Sequence, residues 1–347
     1  MPSSTFSSDE ADRAAPFTNI TKAVSTGMSA RTGIICLLAG LFVLFLCLEW
    51  GSPVILAHLS NTERRITGEM RPAQALQPAT QDGRPTVLLV GNSLLLEGVQ
   101  LDSLRDSLAS QYAVSRLGIE QTHYLDWYFG IRRLLAEGSR PSMIVLTLAT
   151  DQLASALSLG ESFAHRQMSA RDLPLVVRES KLDRTTASSY LFAHWSNWLG
   201  DKGFIRQCVM ILLVPRFRQL AGRIADHDPR VSDPALLVER ARQRLPELHQ
   251  LTEQYGVRIV LLIPPTLHED QSAEIQALGD HAGVPVWVLV RPGEFSRQLF
   301  RDGFHLNAPG AAMFTERLSQ QIRDSMAYHR KNKEACGQPM ESEPCAE

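Results

Sequence analysis

The first long apolar stretch of the chain predicts a helix that crosses a membrane. Residues 32–48 carry no charged side chain, and after Glu49 and Trp50 the apolar character continues to residue 57. A spanning helix needs about 17–25 mostly apolar residues, and tryptophan suits the boundary with water. We therefore expect a transmembrane anchor over residues 32–57, in contact with membrane lipid. A cleaved signal peptide and a buried core helix are the alternatives.

The charges that flank the apolar stretch do not settle which way it crosses the membrane. Lys22 and Arg31 precede it, and Arg64 and Arg65 follow it. Because Lys and Arg are normally enriched on the cytoplasmic side, this balance gives no preferred orientation.

Three segments outside the predicted domain are polar. Residues 1–31 are rich in Ser, Thr and Ala and predict a flexible tail. Residues 58–84 contain two prolines and an Asp-Gly pair, which predict a stalk between the anchor and the domain. Residues 328–347 form a polar tail. Its cysteines, Cys336 and Cys345, either pair in an oxidising compartment or stay as free thiols.

Short β-rich runs alternate with helical patterns over residues 85–327. The predicted strands cover residues 86–90, 113–117, 143–148, 257–263 and 284–290. The first run is continuously apolar, which is typical of a parallel sheet covered on both faces. Strands separated by helices imply crossover connections. We therefore predict an α/β domain with a parallel sheet of about five strands between two layers of helices.

A long insertion separates the third and fourth predicted strands. It covers residues 152–233, is largely helical in pattern, and contains the apolar run 208–214 between Arg206 and Arg216. This run is too short to cross a bilayer. It is either a core helix of the insertion or a helix that lies on the membrane surface beside the anchor.

Composition excludes several functional classes. The 347 residues contain 35 Lys and Arg against 37 Asp and Glu, a net charge of −2, so no overall positive field attracts a nucleic acid. His268, Glu269 and Asp270 are consecutive but lack the spacing of metal ligands, and no cysteine spacing indicates a metal site. We expect no nucleic-acid partner, no metal and no other cofactor.

Candidate chemistry lies where the predicted strands end. Ligands of an open parallel sheet bind at the carboxyl ends of its strands. Ser93 follows the first strand, and Asp302 and His305 follow the fifth. A serine hydroxyl becomes nucleophilic when an imidazole takes its proton, and a carboxylate orients that imidazole. We predict that Ser93 is the nucleophile, His305 the base and Asp302 its orienting group, with the backbone N–H groups of Ser93 and Gly118 facing the oxyanion.

Two segments resemble conserved blocks of the SGNH/GDSL hydrolases. Residues 87–93 resemble the first block, a strand followed by Gly-Asn-Ser, and residues 302–310 resemble the last block, Asp-x-x-His before a helix. The resemblance covers residues 85–325 apart from the insertion. It implies a flavodoxin-like α/β/α domain, acyl-ester chemistry and a triad of Ser93, His305 and Asp302. It also matches Gly118 to the glycine of the second block.

The third block departs from the family pattern. Where the family has Gly-x-Asn-Asp, with the Asn side chain as an oxyanion donor, this chain has Ala149-Thr150-Asp151-Gln152. An ionised Asp151 would repel a developing oxyanion, whereas Gln152 offers an amide donor if the loop shifts by one residue. The oxyanion hole is therefore either rebuilt around Gln152 or weaker than in the family.

Four further residues are weaker candidates for substrate contacts. They are Asn92, His123, Trp127 and His268. His123 and Trp127 follow the second strand, where aromatic faces can stack on sugar rings; the alternative places them on the surface and in the core of the next helix. His268 follows the fourth strand, and the alternative for it is a solvated loop.

Anchor and family resemblance together favour one function. A single-span protein of this type resembles membrane-attached relatives that transfer or remove O-acetyl groups on envelope or exported polysaccharides. We expect a domain on the periplasmic side of the inner membrane, with a multi-span acyltransferase as a partner if it transfers. A lipase or lysophospholipase-like esterase and a catalytically silent export scaffold are the alternatives.

Overall fold

The computed structural model describes residues 30–214 and 233–336. The flexible tail predicted up to residue 31 lies almost entirely outside the described residues, as do Arg216 and Cys345. Two units can be distinguished, one ending at Cys47 and the other beginning at Leu48.

The helix α1, Ala30–Leu59, contains the whole of the predicted anchor. By length and composition it is able to cross a membrane, and its most apolar part is not buried. It is two residues longer at each end than the predicted range of 32–57.

Residues 58–84, predicted as a stalk between anchor and domain, include a helix that packs on the domain. They contain the helix α2, Asn61–Gln74, whose first turn is capped by the Ser60 hydroxyl, which accepts a hydrogen bond from the N–H of Glu63 at 3.1 Å. Ile66 and Ala73 of this helix are buried in the core of the domain. The two prolines suggested a linker, but the apolar face of α2 outweighs them because it packs on the sheet.

Five parallel strands form the sheet. They are β1 (Thr86–Gly91), β2 (Ala113–Gly118), β3 (Met143–Thr147), β4 (Arg258–Ile263) and β5 (Val286–Val288). Their order is β2-β1-β3-β4-β5, which is the flavodoxin-like order with a ligand-binding crevice between the carboxyl ends of β1 and β3. The predicted α/β class and parallel sheet are confirmed, although the fifth strand is shorter than predicted.

Helices cover both faces of the sheet. After α2 they are α3 (Ser93–Gly98), α4 (Leu101–Leu108), α5 (Tyr124–Ala136), α6 (Thr150–Ala154), α7 (Glu161–Arg166), α8 (Leu173–Glu179), α9 (Arg184–Trp195), α10 (Asn197–Leu213), α11 (Pro234–Glu253), α12 (Ser272–Ala282) and α13 (Ala308–Cys336). Val87 and Leu89 share a core with α3, α4 and α13, whereas Leu88 and Val90 share a core with α2, α5, α11 and α12. Successive side chains of a strand point to opposite faces, so β1 is buried by helices on both sides.

The described part of the predicted insertion is helical. It consists of the end of α6, the helices α7 to α10 and a short 3₁₀ turn at Ala170–Asp172. Helices α7, α9 and α10 pack on one another. Leu212 and Leu213 at the end of α10 are exposed, so the interpretation of residues 208–214 as a core helix is wrong for this face.

Candidate active site

Ser93 is presented by the turn that joins β1 to α3. Asn92 precedes the helix, and its Oδ1 accepts a hydrogen bond from the N–H of Leu94 at 3.0 Å, which places Ser93 at the first helical position. Gly91 makes the turn possible, because a Cβ there would lie 2.8 Å from the carbonyl oxygen of Thr147. The serine hydroxyl therefore emerges at the carboxyl edge of the sheet, beside the crevice between β1 and β3.

Asp302 and His305 lie on one tight loop before α13. The loop is closed by a bridge between Phe300 and Leu306 and by a 2.8 Å hydrogen bond from the N–H of Arg301 to the carbonyl of His305. Oδ1 of Asp302 accepts hydrogen bonds from the N–H groups of Phe304 and His305, at 3.0 and 2.7 Å. These backbone bonds fix the carboxylate beside the imidazole.

The structure brings Ser93, His305 and Asp302 into one hydrogen-bonded chain. Nδ1 of His305 lies 2.8 Å from Oδ2 of Asp302, and Nε2 of His305 lies 2.9 Å from Oγ of Ser93. The His305 and Asp302 side chains are 19% and 28% exposed, so a substrate can reach them. A serine and a histidine separated by more than two hundred residues meet at one edge because parallel strands all end there.

Electrostatics favour an ionised Asp302. Partial burial acts against the charge, but hydrogen bonds from the backbone and imidazole of His305 and from the N–H of Phe304 outweigh it. They hold the pKa of Asp302 well below its usual range. A carboxylate at Nδ1 requires the hydrogen of the neutral imidazole to be on that nitrogen, which leaves Nε2 free to accept the Ser93 proton.

Gly118 does not present its N–H to this site, contrary to the prediction. Its N–H donates to Oε2 of Glu69 on α2 at 2.8 Å, whereas the next N–H, that of Ile119, bonds to the carbonyl of Gly91 at 2.9 Å. Because β2 is an edge strand, the N–H of Gly118 points away from β1 and towards α2. A Cβ at Gly118 would lie 2.5 Å from the side chain of Leu96, so packing explains the glycine.

Asp151 and Gln152 lie in the first turn of α6, just after β3. Oε1 of Gln152 accepts hydrogen bonds from Nδ2 of Asn92 at 2.7 Å and from the N–H of Ala149 at 3.0 Å. Burial raises the pKa of Asp151, and the charge of Asp270 adds to that effect, whereas the N–H of Gln152 and the charge of His123 oppose it. The carbonyl end of Gln152 is thus fixed, and its amide nitrogen is the end left for another partner.

Asn92 connects three loops and does not face substrate. It is 1% exposed, and its Nδ2 donates both to the carbonyl of Thr122 at 2.9 Å and to Gln152. With its Oδ1 on Leu94, the side chain joins the segments that follow β1, β2 and β3. The suggested substrate contact is therefore wrong, and Asn92 positions Ser93.

The other three weak candidates have different surroundings. Trp127 is fully buried and donates its indole N–H to Oγ1 of Thr122 at 2.8 Å, so it belongs to the core. His123 is half-buried; burial lowers its pKa while Asp151 opposes the shift, and its Nδ1 has no hydrogen-bond partner among the described residues. His268 is exposed in the loop after β4. Of the four weak candidates, His123 and His268 are accessible to a substrate, whereas Asn92 and Trp127 are buried.

The fold and the site define an α/β protein with the Ser–His–Asp arrangement that serine esterases and related acyl-transfer enzymes use. No protein-family model and no curated protein sequence matches the chain. The α/β fold agrees with the resemblance to the SGNH/GDSL hydrolases. Within the described residues no cluster of His, Cys, Asp and Glu could hold a metal ion.

Comparison with solved structures finds matches at low similarity. A catalytic mutant of Axe2, an acetylxylan esterase from Geobacillus stearothermophilus, is 8% identical and matches over 69% of this chain and 94% of its own, with a TM-score of 0.38. The protein YXIM from Bacillus subtilis is 12% identical and matches over 72% of this chain and 58% of its own, with a TM-score of 0.36. Because both TM-scores lie below 0.5, these matches do not indicate the function of this chain.

Proposed function

We propose that this chain is a membrane-anchored serine acyl-ester enzyme that removes or transfers O-acetyl groups on a cell-envelope or exported polysaccharide. The observation that carries the proposal is the hydrogen-bonded chain from Asp302 through His305 to Ser93. The motif resemblance to SGNH/GDSL hydrolases supports the acyl chemistry, and the apolar helix α1 supports the anchor.

In the proposed reaction the Ser93 oxygen attacks the ester carbonyl while its proton passes to Nε2 of His305. The carbon–oxygen bond to the leaving alcohol then breaks, and His305 gives the proton to that alcohol, which leaves an acyl ester on Ser93. Water or a sugar hydroxyl next gives its proton to His305 and attacks the acyl carbon. Ser93 leaves with that proton, and the acetyl group ends on water or on the acceptor.

Two donors are assigned to the oxyanion. The N–H of Ser93 is at the first position of a helix, where backbone N–H groups lack an intrahelical acceptor. The amide nitrogen of Gln152 is the second, because Asn92 and Ala149 hold its carbonyl end. Oriented donors of this kind are worth about 10²–10³-fold each in kcat.

A cleft near the end of β2, lined by both apolar and polar side chains, has room for part of a carbohydrate chain. The cleft has a volume of about 430 Å³ and is lined by Gln121, in the loop that follows β2, and by residues of α7 and α10. Glu161, Arg206 and Gln207 supply charged and amide groups that can bind hydroxyls. We place the acceptor sugar in this cleft.

The anchor and the reaction together suggest a location and a partner. We place the domain on the periplasmic side of the inner membrane, with α1 as its single span. If the enzyme transfers rather than hydrolyses, its acyl donor must come across the membrane, so a multi-span acyltransferase is the expected partner.

The test is labelling by a fluorophosphonate probe, which reacts with an activated serine. We expect the full-length protein in detergent to be labelled, Ser93→Ala to be unlabelled, and Ser103→Ala, at an exposed serine of α4, to be labelled like the wild type. Absence of labelling in the wild type would favour a silent scaffold and contradict the proposal.

Substrate class is tested with the same variants. We expect acetate release from acetylated glycans that is lost in Ser93→Ala. The exposed apolar end of α10 gives a lipid esterase some support, and release of fatty acid from lysophospholipids without acetate release from glycans would favour that alternative.

A further inference from the structure

Glu49 marks the level at which α1 leaves the apolar part of the membrane. It is the first charged residue after the uncharged residues 32–48, and Trp50 follows it. A carboxylate inside the hydrocarbon layer is unfavourable, and tryptophan side chains favour the boundary between lipid and water. In a membrane-anchored protein, which the proposed function assumes, Glu49 and Trp50 therefore lie at the bilayer surface. The span then ends near residue 48, so residues 50–57 of the predicted anchor lie outside the hydrocarbon layer.

The Glu49 carboxylate is bonded to the start of α10. Its Oε2 accepts hydrogen bonds from Oγ of Ser196 at 2.6 Å and from the N–H of Trp198 at 3.2 Å, and its Oε1 accepts one from the N–H of Asn197 at 2.6 Å. Unpaired N–H groups at a helix start attract a carboxylate, so this contact is favourable as well as short. The junction between α9 and α10 therefore lies at the same depth relative to the membrane as Glu49.

Large apolar side chains are exposed at this junction. Trp195 is 67% exposed and Phe192 is 60% exposed, on the same side of α9 because three residues make nearly one turn. Trp50 is 71% exposed. The remaining tryptophans differ: Trp198 is half-buried beside Glu49, and Trp127 and Trp287 are buried in the domain.

The exposed apolar side chains of α10 are Val209, Met210, Leu212 and Leu213, near the far end of that helix. Cys208, Ile211 and Leu212 line a groove of about 230 Å³ with residues 59–62, at the end of α1 and the start of α2. Glu49 and Leu59 are ten residues apart, which is about 15 Å along a helix. The far end of α10 is therefore displaced from the level of Glu49. Trp195 and Phe192, in contrast, precede Ser196, which is bonded to Glu49.

We propose that Trp195 and Phe192 insert into the headgroup region of the bilayer at the level of Glu49 and Trp50, with Glu49 holding the α9–α10 junction at that depth. The lipid bilayer is the partner that this surface fits, because the exposed rings adjoin the point where the chain leaves the membrane. The domain is then held against the membrane by two contacts and does not hang on a stalk.

The test uses the full-length protein in nanodiscs made with brominated phospholipid, which quenches tryptophan emission at the acyl region and its boundary. We expect Trp195→Phe to remove a share of the quenched emission comparable with that removed by Trp50→Phe. Trp287→Phe, the matched control for a buried tryptophan, should remove none. Quenching of Trp50 without quenching of Trp195 would overturn the inference and leave the anchor standing, whereas absence of both would overturn the anchor too.

A second variant tests the role of Glu49. In Glu49→Ala the N–H groups at the start of α10 lose their acceptor, so we expect weaker quenching of Trp195 and unchanged quenching of Trp50. Glu253→Ala, at an exposed glutamate of α11, should change neither. Retained labelling of Ser93 by the fluorophosphonate would show that the variant is folded. Unchanged quenching of Trp195 in folded Glu49→Ala would show that Glu49 does not hold the junction.

A docked protein is the competing occupant of this surface. If Trp195 is protected from brominated lipid in nanodiscs that contain only this chain, the bilayer is not the occupant. The proposal is then wrong, and a membrane-embedded partner is the class to search.

Discussion

Two clusters of charged side chains in this protein are hydrogen-bonded at similar distances but have different surroundings. In the first, His305 and Asp302 are 19% and 28% exposed and end on a serine hydroxyl. In the second, which we call the buried arginine cluster, Arg166 binds Glu63 at 2.6 Å and Asp201 at 2.5 Å, and all three are at most 13% exposed.

The difference shows that short hydrogen bonds alone do not identify a reactive site. Burial acts against the charge of Arg166, but Glu63 and Asp201 raise its pKa, so it stays protonated and holds two helices of the insertion to α2. It also lies over the ring of Phe204, with 5.1 Å from the guanidinium carbon to the ring centre. The chain from Asp302 through His305 to Ser93 ends on a hydroxyl that can give up a proton, and it is partly exposed on one side.

The largest expected effect is on the rate of the proposed reaction, when the Asp302 carboxylate of the first cluster is changed. In Asp302→Asn the side chain no longer carries the charge that orients and stabilises the His305 imidazole, so we expect kcat to fall about 10⁴-fold. The measurement is the hydrolysis rate of a chromogenic acetyl ester. Asp106→Asn, at an exposed acid of α4, is the control; a loss below tenfold in Asp302→Asn would count against the triad.

The next effect concerns the buried arginine cluster. Arg166→Met leaves Glu63 and Asp201 close together without a cation, and breaking a buried pair in this way costs about 3–5 kcal/mol of folding stability. We expect this loss in denaturant unfolding, with an unchanged rate per active enzyme after titration with the fluorophosphonate. Arg178→Met, at an exposed ion pair, should cost about 0–1 kcal/mol. Equal losses in the two variants would show that burial does not distinguish the pairs.

The smallest effect should appear at Asp151. Burial raises its pKa, so the wild-type carboxyl keeps its proton to a higher pH than an ordinary aspartate, and it repels the oxyanion only after it ionises. Asn cannot ionise. The ratio of kcat/KM for Asp151→Asn to that for the wild type should therefore rise by a few-fold as the pH increases through the Asp151 titration. Asp270→Asn should move that rise to lower pH, since removing a nearby negative charge eases ionisation of Asp151. A ratio that is independent of pH would show that Asp151 is remote from the oxyanion.

Much of the fold could be predicted because its signals are local. The run Val87-Leu88-Leu89-Val90 is apolar on both faces and therefore had to be an inner strand, and the rule that ligands bind at carboxyl edges then grouped Ser93 with His305. The helix α2 was missed because Pro72 and Pro78 suggested a linker. The spacing of Ile66, Met70 and Ala73, at intervals of four and three, could have shown its apolar face.

The error at Gly118 has a different cause. A glycine after a strand is compatible with a donated N–H, but the direction of that N–H depends on which neighbour the edge strand has. Here the neighbour is α2, whose Glu69 accepts the hydrogen bond from the N–H of Gly118. Glu69 precedes Gly118 by 49 residues in the chain. The contacts of Asn92 with Thr122 and Gln152 were equally invisible, because they depend on how three strand ends align.

The position of Asn92 also matters for engineering. A single buried amide that joins three connecting segments means that none of them can change length near its strand without disturbing Ser93. Attempts to alter acceptor preference should therefore graft new sequence beyond Gln152, for example over residues 155–160, where the described chain makes no bond to this amide. Libraries that randomise Gln152, whose side chain bonds Asn92, should yield mostly inactive clones for reasons unrelated to substrate.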